Sequence, residues 1–470
     1  MSELTIENTS VEKQAEIFNE QKKFFKSQKT KSYQFRKEQL RKLKKAIQEN
    51  EGKLTKALQQ DFGKHPFETY ATEIGQVYEE INHSLKNLSQ WMRPKRVGTP
   101  LLHFPSTSKI YYQPKGVCLI IGPWNYPFNL LMAPLVAAIS AGNTCMVKPP
   151  EETPATSLAI KEILESIFEE GFVAVVMGEG SKVVPELMEN HRFDHVFFTG
   201  SVPVGKIIAK MAAEKLVPTT LELGGKSPCI VDKSASLETS AKRIAFSKMV
   251  NAGQTCVAPD YLLVHEDIED EFLDELRAAF MIFYGSLSPT ESKDMAQIIN
   301  QKRFDTLKEY MQEGKRTFGG TVDEKRRKIA PTLITDIKET DRLFSEEIFG
   351  PIMPVYKFKE HDEAIALIEK NPNPLALYIY ANNKKVVKRY INELSFGGGC
   401  VNNGLIHLGN PELPFGGIGS SGQGNYHGKA GFLAFSHEKS ILKTATWFDL
   451  NKKYPPYGNF ILKLVKRLMR

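Results

Sequence analysis

Hydrophobic and polar positions change their spacing along the chain, and the changes divide it into parts. From about Val11 to Trp91 the sequence is polar with apolar residues at helical spacing, which predicts long amphipathic helices. From Gly116 onward, short apolar runs alternate with helical stretches such as SLAIKEILESIFEE. The runs are GVCLII, NTCMVK, FVAVVM and HVFFTG. Buried strands that alternate with helices predict a parallel sheet built from βαβ units.

A second alternating series follows Gly225. Its predicted strands lie near SPCIV, DYLLVHE and LALYIYA, and its predicted helices lie near TSAKRIAFSKMV and EDEFLDELRAAF. Two α/β lobes in succession predict a cleft between them. Ligands in such folds bind beyond the carboxyl ends of the strands, so we expect the chemistry there.

Length and charge narrow the class of protein. A chain of 470 residues exceeds the size of a single core and predicts two or three domains. The 62 basic and 55 acidic residues leave a net charge of +7, which is dispersed along the sequence. Because the basic residues form no cluster and no nucleic-acid-binding motif is present, we expect no nucleic-acid partner.

The cysteines and the apolar stretches indicate a compartment. The cysteines are odd in number, widely spaced and without a CxxC pair: Cys118, Cys145, Cys229, Cys256 and Cys400. This pattern argues against a disulfide framework and a zinc site, and it favours a reducing compartment. The N-terminus MSELTIENTS lacks the features of a signal peptide, and the stretch from Leu130 to Ile139 is too short to span a bilayer. We therefore predict a cytoplasmic protein without a metal.

Three residues in separate segments form the most informative group. Cys256 lies in NAGQTC, at the end of a predicted helix; Glu222 lies in LELGGKSP; and Asn125 lies in GPWNYP, directly after a predicted strand. Taken singly, they are a buried small residue, a capping residue and a turn former. Their common position at strand ends and Gly/Pro-rich breaks is typical of catalytic residues on a rigid scaffold.

Seven motifs from Gly122 to Gly422 carry a resemblance to the aldehyde dehydrogenase superfamily. They occur in the family order: GPWNYP, KPPE, FTGS, LELGGKSP, NAGQTC, EEIFGP and PFGGIGSSG. The resemblance implies an α/β fold with two Rossmann-like lobes and a small β bridging or oligomerisation element. The domains it implies are residues 1–99 and 114–222 for NAD binding, 223–408 for catalysis, 100–113 and 409–450 for bridging, and 451–470 as a C-terminal tail.

The family chemistry assigns a role to each of the three residues. Cys256 would attack the aldehyde carbon, and the thiohemiacetal would then release hydride to a nicotinamide. Asn125 and the backbone N–H of Cys256 would hold the oxyanion. Glu222 would accept the thiol proton and then activate water to hydrolyse the thioester. Two alternatives stay open: an acyl-thioester or acyl-phosphate reductase, against which Glu222 argues, and a non-catalytic relative, against which all three residues argue.

The resemblance also implies a cofactor site at the junction of FTG and the helix SVPVGKIIAKMAAEK. The helix N-terminus there favours a pyrophosphate, and a glutamate beside the adenine ribose favours NAD over NADP, which stays possible. The residues it implies are Ile121, Gly122, Pro123, Trp124, Lys148, Pro150, Glu151, Phe198, Thr199, Gly200, Ser201, Val204, Gly205, Leu223, Gly224, Glu347 and Phe349.

The C-terminal third is similar to the class-three branch, which includes fatty and aromatic aldehyde dehydrogenases. This resemblance implies a homodimer, bridged by paired strands near Ser108 to Tyr112 and Lys439 to Thr446, with His437 in a structural role. It also implies a medium- or long-chain aliphatic aldehyde as substrate, with an aromatic aldehyde as the alternative. The sequence itself leaves the chain length open.

The last segment, Phe460 to Arg470, predicts a basic amphipathic helix. Its apolar residues fall on one face, and they are Phe460, Ile461, Leu464, Val465 and Leu468. Such a helix can lie weakly on an anionic membrane, or it can pack over the substrate entrance or a partner subunit. We favour packing, because eleven residues with few large aromatic side chains bind membranes weakly.

Overall fold

The polar N-terminal part folds into amphipathic helices, as its spacing predicts. The computed structural model describes residues 6–285 and 289–469. The first helices are α1 (Val11–Lys26), α2 (Tyr33–Glu49), α3 (Glu51–Phe62), α4 (Pro66–Thr69) and α5 (Gly75–Trp91). A π-helical turn, Tyr70–Ile74, joins α4 to α5; the spacing does not reveal it, and such turns often occur at functional sites.

The first lobe is a doubly wound sheet. Its elements and the two strands before it are β1 (Lys95–Val97), β2 (Ser106–Pro114), β3 (Val117–Ile121), α6 (Asn129–Ala141), β4 (Thr144–Lys148), α7 (Pro154–Ile167), β5 (Val173–Val175), α8 (Gly180–Asn190), β6 (His195–Thr199), α9 (Val202–Glu214) and β7 (Thr219–Glu222). The chain runs from β3 through β4 to β5, returns to β6 beside β3, and continues to β7, all in parallel. The strand order therefore reverses between β3 and β6, and a ligand crevice forms at their carboxyl ends.

The second lobe is a larger mixed sheet. Its elements and those that follow are β8 (Pro228–Val231), α10 (Leu237–Met249), β9 (Tyr261–His265), α11 (Glu269–Tyr284), α12 (Gln301–Tyr310), β10 (Lys315–Phe318), β11 (Val322–Asp323), β12 (Lys328–Ile329), β13 (Thr332–Thr335), α13 (Arg342–Ser345), β14 (Ile352–Phe358), α14 (His361–Glu369), β15 (Ala376–Tyr380), α15 (Lys384–Glu393), β16 (Gly398–Val401), β17 (Gly422–Gln423), α16 (Gly428–Ala434), β18 (Ser436–Thr444) and α17 (Asn459–Met469). The strand order is β10-β13-β14-β9-β8-β15-β16, with β10 antiparallel to β13 and the remaining pairs parallel.

One hydrophobic core joins the two lobes. Cys118 and Val147 of the first sheet belong to the same buried cluster as Leu262 and Tyr378 of the second. β17 also returns from the second lobe and pairs antiparallel with β7, through Gly422 opposite Glu222. Because the lobes share a core and a strand pair, the residues between them are held in fixed relative positions.

A third sheet stands outside the lobes. β2 pairs antiparallel with both β1 and β18, with Ser108 opposite Leu442 in the longer ladder. The predicted pairing of the strands near Ser108 and Lys439 is confirmed, and it extends over nine residues of each strand. His437 lies in β18 opposite Gln113.

The C-terminal helix α17 lies beside this third sheet. Ile461, Leu464, Val465 and Leu468 line a cavity together with Leu101, Ser106 of β2 and Leu442 of β18. These four residues of the predicted apolar face are thus turned toward the third sheet, while Arg470 lies outside the described residues. Among the helices that the structure describes, none combines the length and the hydropathy that a membrane crossing needs.

Candidate functional site

Three left-handed residues shape the loop that carries Cys256. Asn251, Ala252 and Gly253 have φ angles of 54°, 53° and 75°. Residues other than glycine rarely adopt such positive φ angles. A Cβ atom on Gly253 would collide with the carbonyl oxygen of Gly350. The loop is therefore pressed against the EEIFGP turn, backbone to backbone, just before Cys256.

Amide side chains tie this loop to the segment that carries Asn125. The Nδ2 atom of Asn251 donates to the carbonyl of Asn125 at 2.8 Å, and the Nδ2 atom of Asn125 donates to the carbonyl of Gln254 at 3.1 Å. Gln254 in turn donates to the carbonyl of Gln297 at 2.9 Å. Because an amide nitrogen carries two hydrogens, Asn125 has a second N–H besides the one that bonds Gln254, two residues before Cys256.

A buried ion pair contacts the segment that follows Asn125. Lys64 and Glu73 are fully buried, with Nζ and Oε1 2.9 Å apart. The other oxygen of Glu73 accepts the backbone N–H groups of Phe128 and Asn129, at the start of α6. The ammonium of Lys64 lies 4.6 Å from the ring centroid of Tyr126. This pair is not predictable from local spacing, because charged residues in the polar N-terminal part are typical of a solvent-exposed surface.

Glu222 is the last residue of β7 and is almost fully buried. Among the described residues neither of its carboxylate oxygens has a hydrogen-bond partner. Burial raises the pKa of Glu222 well above its usual range. Its backbone carbonyl accepts the N–H of Gly200 at 3.0 Å, which joins it to the predicted cofactor segment.

The thiol of Cys256 is surrounded by acidic groups. Burial, together with the negative charges of Glu347 and Glu222, raises the pKa of Cys256 to about 12. Burial and the charge of Asp260 in turn raise the pKa of Glu347 to about 8, against a hydrogen bond from the backbone N–H of Gly225. Within the described chain no hydrogen bond joins Glu222 to Cys256. The two groups interact through their charges in this arrangement.

Four of the predicted cofactor residues meet where the second lobe approaches the first. A side chain at Gly224 would collide with the carboxylate of Glu347, and Trp124 and Phe349 meet edge to face with their ring centroids 5.3 Å apart. Phe349 itself has a φ of 47°. This part of the EEIFGP turn therefore closes directly on the GPWNYP and LELGG segments.

Lys148 and Glu151 form an ion pair at the end of β4. The Nζ atom of Lys148, which is almost fully buried, bonds one carboxylate oxygen of Glu151. The other oxygen accepts the backbone N–H of Gly180, the first residue of α8, at 2.7 Å. Burial is the largest single effect and works to raise the pKa of Glu151, but the charge of Lys148 and the hydrogen bonds from Lys148 and the N–H of Gly180 together outweigh it and lower the pKa.

The junction between β6 and α9 fits a dinucleotide. α9 begins after Ser201, and a side chain at Gly205 would collide with Leu223, so the helix packs closely on the sheet. In the part of the chain that the structure describes, the hydroxyl of Thr199 is buried without a hydrogen-bond partner. The remaining predicted cofactor residues lie along the same edge of the sheet or just beyond it: Ile121, Gly122, Pro123, Pro150, Phe198 and Val204.

One expectation about placement is wrong for the second lobe. Asn125, Gly200 and Glu222 do lie at the carboxyl ends of strands β3, β6 and β7. Cys256 and Glu347, however, precede β9 and β14 and so lie at the amino ends of the second sheet. The second lobe turns that edge toward the carboxyl edge of the first, and the site lies between the two.

An apolar cavity of about 410 Å³ opens on Cys256. Most of its lining is apolar and includes Leu130, Phe246, Val250, Ile406, Leu408 and Phe415. Two polar residues in the wall, Glu80 and Tyr426, are absent from the sequence-based predictions. Tyr426 stands four residues after Gly422 and was not singled out, since no spacing rule connects it to Cys256.

The comparisons with known proteins agree with this geometry. The model of the Aldehyde dehydrogenase family matches residues 4–441. A 4,4'-diaponeurosporen-aldehyde dehydrogenase from Staphylococcus aureus is 46% identical over 446 residues, which cover 94% of this chain and 96% of the relative. An aldehyde dehydrogenase of Rattus norvegicus, named dimeric and NADP-preferring, is 41% identical over 436 residues, or 92% of this chain and 95% of its own length.

A solved structure has the same fold. The substrate-bound state of Staphylococcus aureus AldH superposes with a TM-score of 0.93 at 44% identity and covers 97% of this chain and 99% of its own. The chain therefore belongs to the aldehyde dehydrogenase family, whose members are NAD(P)-dependent oxidoreductases that convert aldehydes to carboxylic acids.

Proposed function

We propose that Cys256 is the nucleophile of this reaction. The observation that carries the proposal is the convergence of three separate segments at Cys256: Asn125 donates to the carbonyl of Gln254, the charge of Glu222 acts on the Cys256 thiol, and Cys256 lines an apolar cavity. The thiolate would attack the aldehyde carbon. The amide of Asn125 and the N–H of Cys256 would then hold the oxyanion, where one such donor is worth about 3 kcal/mol.

Glu222 serves both halves of the proposed reaction. It first takes the proton of the Cys256 thiol, because the same burial that raises its pKa makes its carboxylate a stronger base. Bound NAD, near Glu347 and Phe349, would supply the hydride acceptor. After that first proton has been released to solvent, the Glu222 carboxylate takes a proton from the water that attacks the Cys256 thioester. This second role counts against an acyl-thioester reductase, and the presence of all three groups counts against a non-catalytic relative.

The cavity supports an aliphatic substrate of medium or long chain. Its lining is predominantly apolar, and burial of a chain there gains about 0.8 kcal/mol for each methylene group. Aromatic aldehydes of similar volume fit the same description. The apolar tail would therefore contribute most of the binding free energy, while Cys256 and Asn125 would position the carbonyl group.

NAD is the proposed cofactor in preference to NADP. The carboxylate of Glu151, held by Lys148 and the N–H of Gly180, would face the adenine ribose. Its negative charge favours ribose hydroxyls and repels a 2′-phosphate. The aldehyde dehydrogenase of Rattus norvegicus is named NADP-preferring, so the proposed preference of this chain for NAD differs from that of this relative.

The proposed assembly is a homodimer in the cytoplasm. Among the described strands, β18 pairs with β2 on one side only, and most of its nine residues are exposed. Exposed edge strands favour pairing with another chain. The packing of α17 on the bridging element supports a structural role for the tail over weak peripheral contact with a membrane.

Substitutions separate the two halves of the reaction. We expect Cys256→Ala to abolish NADH formation, because no thiohemiacetal can form. Glu222→Gln should lower steady-state turnover by about 10²- to 10³-fold through slow thioester hydrolysis. NADH production from an aldehyde chain-length series measures both effects. Cys400→Ala, at the other partly exposed cysteine, is the control and should keep full turnover; undiminished turnover in Cys256→Ala would contradict the assignment.

Alkylation of Cys256 should report the charge of Glu347. At about pH 9 Glu347, with a pKa of about 8, is ionised and destabilises the thiolate, so Glu347→Gln should speed alkylation several-fold. At about pH 6.5 Glu347 is already protonated, so the two rates should converge. Iodoacetamide labelling, read by peptide mass spectrometry, measures this. The exposed neighbour provides the control Glu346→Gln; an equal effect at both pH values would exclude the charge mechanism.

Cofactor preference should depend on Glu151. We expect a higher kcat/KM with NAD than with NADP. Because the carboxylate repels the 2′-phosphate, Glu151→Gln should lower the ratio of kcat/KM with NAD to kcat/KM with NADP by about tenfold. This change corresponds to about 1.4 kcal/mol. Glu152→Gln makes the same change one residue later and should leave the ratio as it is. A wild-type enzyme that is more efficient with NADP would refute the preference.

The molar mass in solution tests the assembly. Light scattering should give about twice the chain mass of 53.0 kDa. Ile441→Lys places a charge on the exposed strand β18, and we expect it to shift the mass toward one chain. A wild-type mass near that of a single chain would contradict the dimer.

A further inference from the structure

Glu80 is a buried carboxyl group in the wall of the substrate cavity. It lies in α5, and its Oε1 atom accepts the backbone N–H of Gly428 at 2.8 Å. Burial raises the pKa of Glu80 to about 7, partly opposed by that hydrogen bond. A carboxyl group in an apolar wall is costly to bury, and nothing in the proposed reaction so far uses it.

Tyr426 connects Glu80 with the reacting groups. Tyr426 follows β17, in which Gly422 pairs with Glu222, and it lines the same cavity as Cys256. Burial raises the pKa of Tyr426, and the negative charges of Glu222, Cys256 and Glu80 act in the same direction. The residue is fixed in place: its backbone exchanges two hydrogen bonds with Phe415, at 3.0 and 2.8 Å. Its side chain lines the same cavity as Glu80.

On the far side of Glu80 a polar path leads outward. His83 lies one turn later on α5, and the Cβ position of Gly428 is 3.0 Å from its Nε2 atom. Nε2 of His83 is 3.7 Å from Oε1 of Glu412, whose side chain is exposed. His427, also in the cavity wall, has its pKa lowered to about 4 by burial and by His407, so it is neutral near pH 7.

The proposed reaction creates a need for such a path. In thioester hydrolysis the water oxygen bonds the acyl carbon, the C–S bond breaks, and one water proton is left on Glu222. The thiolate leaves as the carboxylic acid is released. Within the described residues Glu222 has no hydrogen-bond partner to which it could pass this proton. The next turnover requires that the proton reach solvent.

We propose that Tyr426 and Glu80 carry this proton from Glu222 to the outer part of the cavity, with waters bridging the gaps. Tyr426 accepts the proton at its oxygen and passes its own hydroxyl proton on. Glu80 accepts that proton as a carboxylate and releases it past His83 and Glu412. This inference rests on the proposed role of Glu222 as the base of hydrolysis.

The test measures hydride transfer and hydrolysis separately. Stopped-flow NADH formation under single-turnover conditions reports hydride transfer. Acid quenching followed by mass spectrometry of the acyl group on Cys256 reports hydrolysis, from about pH 6 to pH 9. The variants are Glu80→Gln, Tyr426→Phe and the double variant. Glu79→Gln is the comparator, because it removes one carboxylate from the exposed neighbour in the same cavity wall.

In the wild type the hydrolysis rate should rise with pH through about 7, because Glu80 accepts a proton only when ionised. Glu80→Gln should keep the hydride-transfer rate, lose that pH dependence and slow hydrolysis about tenfold near pH 7.5. Added imidazole buffer should restore part of the rate. Tyr426→Phe should slow hydrolysis by a similar factor. The double variant should hydrolyse the thioester no more slowly than either single variant, because both residues act on the same path. Glu79→Gln should keep the rise near pH 7.

Other outcomes overturn the proposal. Unchanged hydrolysis in Glu80→Gln, or a slower rate that imidazole does not restore, means that Glu80 carries no proton. A changed KM for the aldehyde with an unchanged hydrolysis rate makes Glu80 a substrate-binding residue instead. If wild-type protein forms no acyl group on Cys256 at all, the proposed function itself fails, and that result is distinct from either of the others.

Discussion

The close backbone contact between Gly253 and Gly350 fixes the Cys256 loop against the EEIFGP turn, and the hydrogen bonds of Asn251 and Asn125 join that loop to the first lobe. Gly253 adopts a left-handed conformation, and any side chain there would strike the Gly350 carbonyl. Ala252, with a φ of 53°, adopts the same conformation at a cost of roughly 1–2 kcal/mol. Tertiary contacts must offset that strain, and the hydrogen bonds of Asn251 and Gln254 provide them. The position of Cys256 therefore depends on the whole seam between the lobes.

The same seam explains the electrostatics. The contact between the lobes brings Cys256, Glu222 and Glu347 together, and burial raises the pKa of all three groups. The buried lysines Lys64 and Lys226 are paired with Glu73 and Asp260, and the charge of Lys226 opposes only part of the rise in the pKa of Glu347. Catalysis in such a site depends on proton transfer to and from these buried groups. Buried acidic groups in the cavity wall, Glu80 above all, therefore bear on catalysis.

Much of this arrangement follows from the sequence. The alternating apolar runs predict both lobes, and the FTGS junction predicts the start of α9, because these signals are local. The sequence does not predict which edge of the second sheet faces the first lobe, because no local signal indicates which end of β9 lies toward β3. Glu80 and Lys64 were not recognised either. A charged residue in the polar N-terminal part is expected to be exposed until the structure shows that α5 contacts the cavity and that the connection between α3 and α4 contacts the Asn125 segment.

The covalent intermediate tests the central claim most directly. Glu222→Gln protein is mixed with NAD and an aliphatic aldehyde, quenched in acid, digested and analysed by mass spectrometry. The account predicts that the peptide containing Cys256 carries the acyl group of the aldehyde, in an amount matching the NADH formed in the first turnover. NADH formation without an acyl group on Cys256, or with the acyl group on another residue, would contradict it.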